Sequence, residues 1–71
     1  MDRQTFEFVT YIINYLAWTL NRSAPDVYAI LSRTGCIKEY LAPCYDVLHT
    51  LSTENVASDV MKFVSSRGES L

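Results

Sequence analysis

Between Arg3 and Leu20 the apolar residues fall at three- and four-residue spacing. Phe6, Val9, Ile13, Leu16, Ala17 and Leu20 make one stripe, and the spacing predicts a helix that turns this stripe inward. Asp2 stands where it can cap the start, and Asn21-Arg22 ends the apolar run. The same segment carries a second apolar face, made of Phe8, Tyr11, Ile12, Tyr15 and Trp18. Only Glu7, Thr10 and Asn14 form a polar strip. A helix that is apolar nearly all round is normally covered on several sides. A short chain with few other helices has little material to cover it with.

A second helix is announced by Ser23-Ala24-Pro25-Asp26. Ser23 is the expected N-cap, Pro25 sits in the first turn where a missing N–H costs nothing, and Asp26 completes a capping-box-like pair. Val27, Ile30, Leu31 and the methyl side of Thr34 make its inner stripe, and Gly35 supplies a left-handed C-cap. Ile37 to Leu41 is expected to make one or two helical turns, Ala42-Pro43 to break them, and Cys44 to His49 to make another. The last helix starts at Ser52 or Thr53 and buries Val56, Val60, Phe63 and Val64. Glu54 and Asp59 lie towards its positive end, Lys62 and Arg67 at its negative end, and Gly68 stops it. Residues 69–71 read as a frayed tail. No stretch alternates with period two and no hairpin dipeptide occurs. The fold class is therefore all-α, a small bundle of three main helices plus one or two short helical turns, in a single domain over 1–71.

Composition narrows the function classes. A chain of 71 residues has no room for a catalytic and a regulatory domain together. With hydrophobic residues at 49% and only two glycines and two prolines, it is neither disordered nor collagen-like. Domains this small bury only about 60% of the surface their unfolded chains expose, so a very apolar helix set or a partner is needed. Phe6 to Leu20 raises the question of a membrane or signal helix. Glu7 and Asn14 interrupt it, it falls short of the roughly 20 residues that span a bilayer, and no small-x-small cleavage site follows a basic start. Two cysteines do not make the disulfide framework of a small secreted domain, so Cys36 and Cys44 read as reduced, packed thiols. A cytoplasmic location is expected.

Chemistry-bearing residues are few. Cys36, Cys44 and His49 would give a metal three soft ligands, but a structural zinc site takes four and their spacing matches no zinc signature. Cys44, Asp46 and His49 contain the side-chain types of a thiol nucleophile, a base and an orienting group. An oxyanion hole and a pocket are also required, which a domain of this size hardly provides. The expectation is a protein with no catalytic residues, no metal and no cofactor. Helix 24–34, the turn at Gly35 and segment 36–41 outline a helix-turn-helix, so a DNA-binding regulator is the alternative function. Against it, Arg3, Arg22, Arg33, Lys38, Lys62 and Arg67 are scattered singly and the net charge is −2, where a reader of nucleic acid needs a basic stripe.

The aromatic residues say more. The chain has five Tyr, three Phe and one Trp, and Phe8, Tyr11, Tyr15 and Trp18 share the second face of the first helix. Tyr and Trp combine large apolar area with a polar handle, which suits a surface that must survive both water and a partner. These four residues, with His49 and Thr50, are the candidate partner-binding set. The leading function is a small non-catalytic protein-interaction module that binds a protein partner or itself as a homo-oligomer, with no membrane role.

The run Val27-Tyr28…Leu31…Gly35…Tyr40-Leu41…Tyr45-Asp46-Val47-Leu48-His49-Thr50, followed by a helix carrying Asp59-Val60, resembles the bacterial domain of unknown function 3791 family. Its most specific part is Tyr45-x-x-Leu48-His49-Thr50, and the likeness runs from the first helix to Gly68. The last helix departs from the family's pattern at Ser58-Asp59 and Asn55. The resemblance implies a bacterial protein of no assigned activity. Its genes are expected beside those of another small family in an arrangement like a toxin–antitoxin pair, which points to an antitoxin-like or adaptor role for this chain. His49 and Thr50 are the polar positions that the resemblance singles out.

Overall fold

The computed structural model describes all 71 residues, folded into a body of 26 × 22 × 20 Å. The order is α1 (Arg3–Thr19), α2 (Ala24–Thr34), a π-helical segment (Ile37–Leu41), α3 (Tyr45–Leu48) and α4 (Thr53–Ser66). There is no strand, so the all-α class holds. Each long helix starts on the cap its sequence marks. Asp2 accepts from the Thr5 N–H at 2.8 Å, Ser23 from Asp26 at 3.2 Å and Ser52 from Asn55 at 3.2 Å. Such caps satisfy donors that the first helical turn leaves free, each stabilising by about 1 kcal/mol.

The ends are as local as the starts. Asn21 takes the left-handed conformation (φ 55°), and the Arg22 N–H reaches back to the Ala17 carbonyl at 2.8 Å, which closes α1. Gly35 (φ 82°) ends α2, where the Arg67 guanidinium also donates to the Thr34 carbonyl at 3.2 Å. With only four residues between them, α1 and α2 form an antiparallel hairpin. The core is a single cluster in which Ile12, Leu16, Val27, Leu31, Cys36, Leu41, Val56, Val60 and Val64 are almost wholly buried.

Two expectations are corrected, the α1 stripe and the tail, and the expected helical turn at 37–41 is present in a wider form. The stripe of α1 that meets the core is Thr5, Val9, Ile12, Ile13, Leu16 and Ala17. Ile12 is 1% exposed, whereas Phe6 is 61% exposed and lies outside the core. Segment 37–41 is helical but widened: Ala42 donates to the Ile37 carbonyl at 2.9 Å, a five-residue reach. Pro43 has no N–H for the Glu39 carbonyl and its ring would crowd that carbonyl, so a regular helix cannot run through. The tail is not frayed. Arg33 grips Glu69 with two bonds of 2.6 Å, the Glu69 N–H caps Val64 at 3.2 Å, and Leu71 packs against the core.

A candidate interaction surface on the first helix

The second face of α1 is divided by the fold. Phe8 is half-buried and meets the Tyr45 ring edge-on, with centroids 5.5 Å apart. Tyr15 is half-buried against the core. Tyr11 stays 55% exposed, its hydroxyl 3.2 Å from Thr53 Oγ1. Trp18 is 83% exposed, and its indole has neither an aromatic nor a hydrogen-bond partner in the fold. Phe8 and Tyr15 therefore do structural work inside the monomer, while Tyr11 and Trp18 face water.

His49 and Thr50 close α3. The His49 ring stacks on Tyr45 at 4.5 Å, and its Nδ1 lies 2.7 Å from the Tyr45 carbonyl. A carbonyl only accepts, so Nδ1 is the donor of this bond. Thr50 donates its hydroxyl to the Val47 carbonyl at 2.7 Å. Phe8, Tyr45 and His49 thus form one aromatic ladder from α1 across α3, with both polar residues exposed at its end.

None of these groups converges with the thiols. Cys36 and Cys44 are both free. Cys36 is wholly buried, and burial pushes its thiol up to about 12, so no thiolate forms there at neutral pH. His49 spends its Nδ1 on Tyr45, and no group of three His, Cys, Asp or Glu side chains gathers in a metal-binding arrangement.

The opposite flank of α1 holds a feature that sequence reasoning missed. A groove of about 750 Å³ runs between α1 and α2. Phe6, Val9 and Ile13 form one wall, Ala24 and Tyr28 the other, and Ile37-Lys38 line it as well. Tyr28 is 56% exposed on the rim opposite Phe6. The signal available in the sequence was that Tyr28 is a large aromatic lying off the inner stripe of α2.

The charges are mostly committed elsewhere. Arg3 pairs with Glu7 at 3.3 Å, Arg33 with Glu69 at 2.6 Å and Arg67 with Glu39 at 2.7 Å. The arginines hold Glu39 and Glu69 below the usual carboxylate range, first through these hydrogen bonds. Arg67 also lies 4.6 Å over the Phe63 ring, which stacks on Tyr40 at 5.9 Å. Burial, with Asp59 beside the hydroxyl, raises Tyr40. That cluster ties the π segment to α4.

No helix is long and apolar enough to cross a membrane. No curated protein and no solved structure matches the chain. A family model does match, over residues 7–67, which takes in α1 after its first turn, α2, the aromatic ladder and all of α4. The chain belongs to the family described as "Protein of unknown function (DUF3791)".

Proposed function

We propose that this chain is a small non-catalytic interaction module that binds a protein partner, or a second copy of itself, through the flank of α1 around Trp18. The exposure of Trp18 carries this reading. Full burial of a tryptophan removes about 150–250 Å² from water, a gross gain of about 4–6 kcal/mol at 25 cal/mol per Å². A lone exposed leucine needs no explanation, but the largest apolar side chain in the chain, standing 83% in water about two turns from an exposed Tyr11, has the makings of an interface anchor. Tyr11 adds a polar hydroxyl on the same flank, and His49 and Thr50 are exposed at the end of the ladder that Phe8 begins. The buried Cys36 and the occupied His49 support a non-catalytic role.

Within this reading the partner is the product of a neighbouring bacterial gene, and the chain acts in the cytoplasm as an antitoxin-like or adaptor subunit. The helix-turn-helix alternative has less to stand on. Three of the four arginines are engaged by glutamates, and in segment 36–41 Cys36 and Leu41 are wholly buried, which leaves Lys38 as its only cation.

The test uses Trp18 as its own reporter, since it is the only tryptophan. The protein is titrated with the purified product of the adjacent gene, and separately concentrated alone, with Trp emission and sedimentation followed together. The expected result is a shift of the emission to shorter wavelength as one complex forms, and a loss of about 30-fold in affinity on Trp18→Glu. Absence of any complex in both titrations, or a complex that Trp18→Glu leaves unchanged, overturns the proposal.

A further inference from the structure

The groove between α1 and α2 is a second surface, independent of the Trp18 flank. Its walls are short and matched. Phe6 to Asn14 on α1 and Ala24 to Ser32 on α2 each span eight residue steps, or about 12 Å at 1.5 Å per residue. That length takes about two turns of a helix laid along it. Because α1 and α2 run antiparallel, the Phe6 end of one wall lies beside the Ser32 end of the other, where Ile37 and Lys38 also stand.

Charge adds direction. In a chain whose acids outnumber its bases by eight to six, no carboxylate lines the groove. Its one charged side chain is Lys38, and none of the ion pairs in the fold engages it. An occupant with an anionic group near that end is favoured over one with a cation. The volume of about 750 Å³ falls in the range of small-molecule pockets, but the rims do not fit that class. Phe6 and Tyr28 are 61% and 56% exposed, so a small ligand on the floor would leave both rings in water. A helix reaches floor and rims together. The fold has no strand, so no sheet edge invites an extended peptide.

We propose that this groove is a docking site for about two turns of a partner's amphipathic helix. Large apolar residues at i, i+3 or i+4, and i+7 fill the floor between Phe6 and Tyr28, and an Asp or Glu at one end meets Lys38.

The test is a selection against the whole protein from a fully randomised 12-residue display library, followed by binding of the enriched peptides to variants. Enriched peptides are expected to carry apolar residues at the stated helical spacing with an acid at one end, and to gain helical circular dichroism on binding. Phe6→Glu with Tyr28→Glu should weaken them at least 30-fold, Lys38→Gln about fivefold, and Trp18→Ala not at all. If the glutamate pair unfolds the protein, Phe6→Ser with Tyr28→Ser replaces it, since both side chains are more than half exposed. Several outcomes overturn the proposal: no enrichment, winners that are proline-rich or lack helical spacing, or binding that ignores the Phe6 and Tyr28 changes. Competition by sodium dodecanoate tighter than any peptide would assign the groove to a small amphiphile instead. A dimer broken by Phe6→Glu would assign it to a second copy. Peptides lost on Trp18→Ala alone would overturn the groove while supporting the other flank.

Discussion

Tyr15 and Trp18 lie three residues apart on α1, on the same flank, and the fold treats them differently. Tyr15 packs against the core cluster and is half-buried, while Trp18 keeps 83% of its exposure. Truncating each to alanine separates structural from free aromatic surface. For Tyr15 about half of a roughly 200 Å² side chain is out of water, so Tyr15→Ala should cost about 2 kcal/mol. Trp18→Ala removes almost no intramolecular contact and should stay within about 0.5 kcal/mol. At about 0.05–0.15 kcal/mol per residue the whole fold holds about 4–10 kcal/mol, so the Tyr15 loss is a large share of it. With a urea slope of about 1 kcal/mol per M, as for other small domains, the midpoint falls by about 2 M for Tyr15→Ala and by less than about 0.5 M for Trp18→Ala. Far-ultraviolet circular dichroism is the proper assay, because one variant lacks the only fluorescent indole. Equal losses in the two variants would refute the division of the flank. A double Tyr15→Glu, Trp18→Glu variant would confuse the two effects, and Trp18 alone is the clean probe of association.

Two further outcomes are expected. With an aromatic disulfide reagent at mildly alkaline pH, half-buried Cys44 should react in a fast phase and Cys36 only as fast as the fold opens, because burial holds its thiol up near 12; two equal fast thiols would contradict that packing. Glu39 and Glu69 have folded pKa values below their unfolded ones, so their stabilisation is present above about pH 4.3 and lost as pH falls through the folded values. Glu69→Gln should shrink the drop in urea midpoint between pH 5 and pH 2.5, more at low salt than at high, and an unchanged drop would show that the Arg33 clamp contributes nothing in solution.

What the sequence made legible was local. Ser23, Ser52 and Asp2 cap because a side-chain oxygen three residues before a free N–H is a matter of spacing alone. The inner stripes of α2 and α4 were readable because each has one apolar face, with Val27, Leu31, Val60 and Val64 all wholly buried. On α1 periodicity had too many apolar residues to choose among. Phe6 and Ile12 exchanged places between expectation and fold because both satisfy a three- or four-residue spacing. The Arg33–Glu69 clamp joins residues 36 apart and leaves no local trace. The groove needed the hairpin angle of two helices, which Tyr28 alone could only hint at.

The two flanks of α1 have a common geometric cause. A 17-residue helix whose circumference is nearly all apolar needs neighbours on every side, yet α2 and α4 are the only other long helices. They cover the Ile12–Leu16 face, and the four-residue α3 adds Leu48 to the core and Tyr45 against Phe8. Phe6 is left on the α2 side, and Tyr11 and Trp18 on the other. Scattered apolar exposure is ordinary on any surface, but here three large aromatics stand on one helix. Within the monomer they gain little beyond the Tyr11–Thr53 contact, and exposed aromatics raise the risk of aggregation. Their placement on one element is accounted for under the proposed docking roles, in which Trp18→Glu and Phe6→Glu act on separate flanks and should each leave the other flank's binding unchanged.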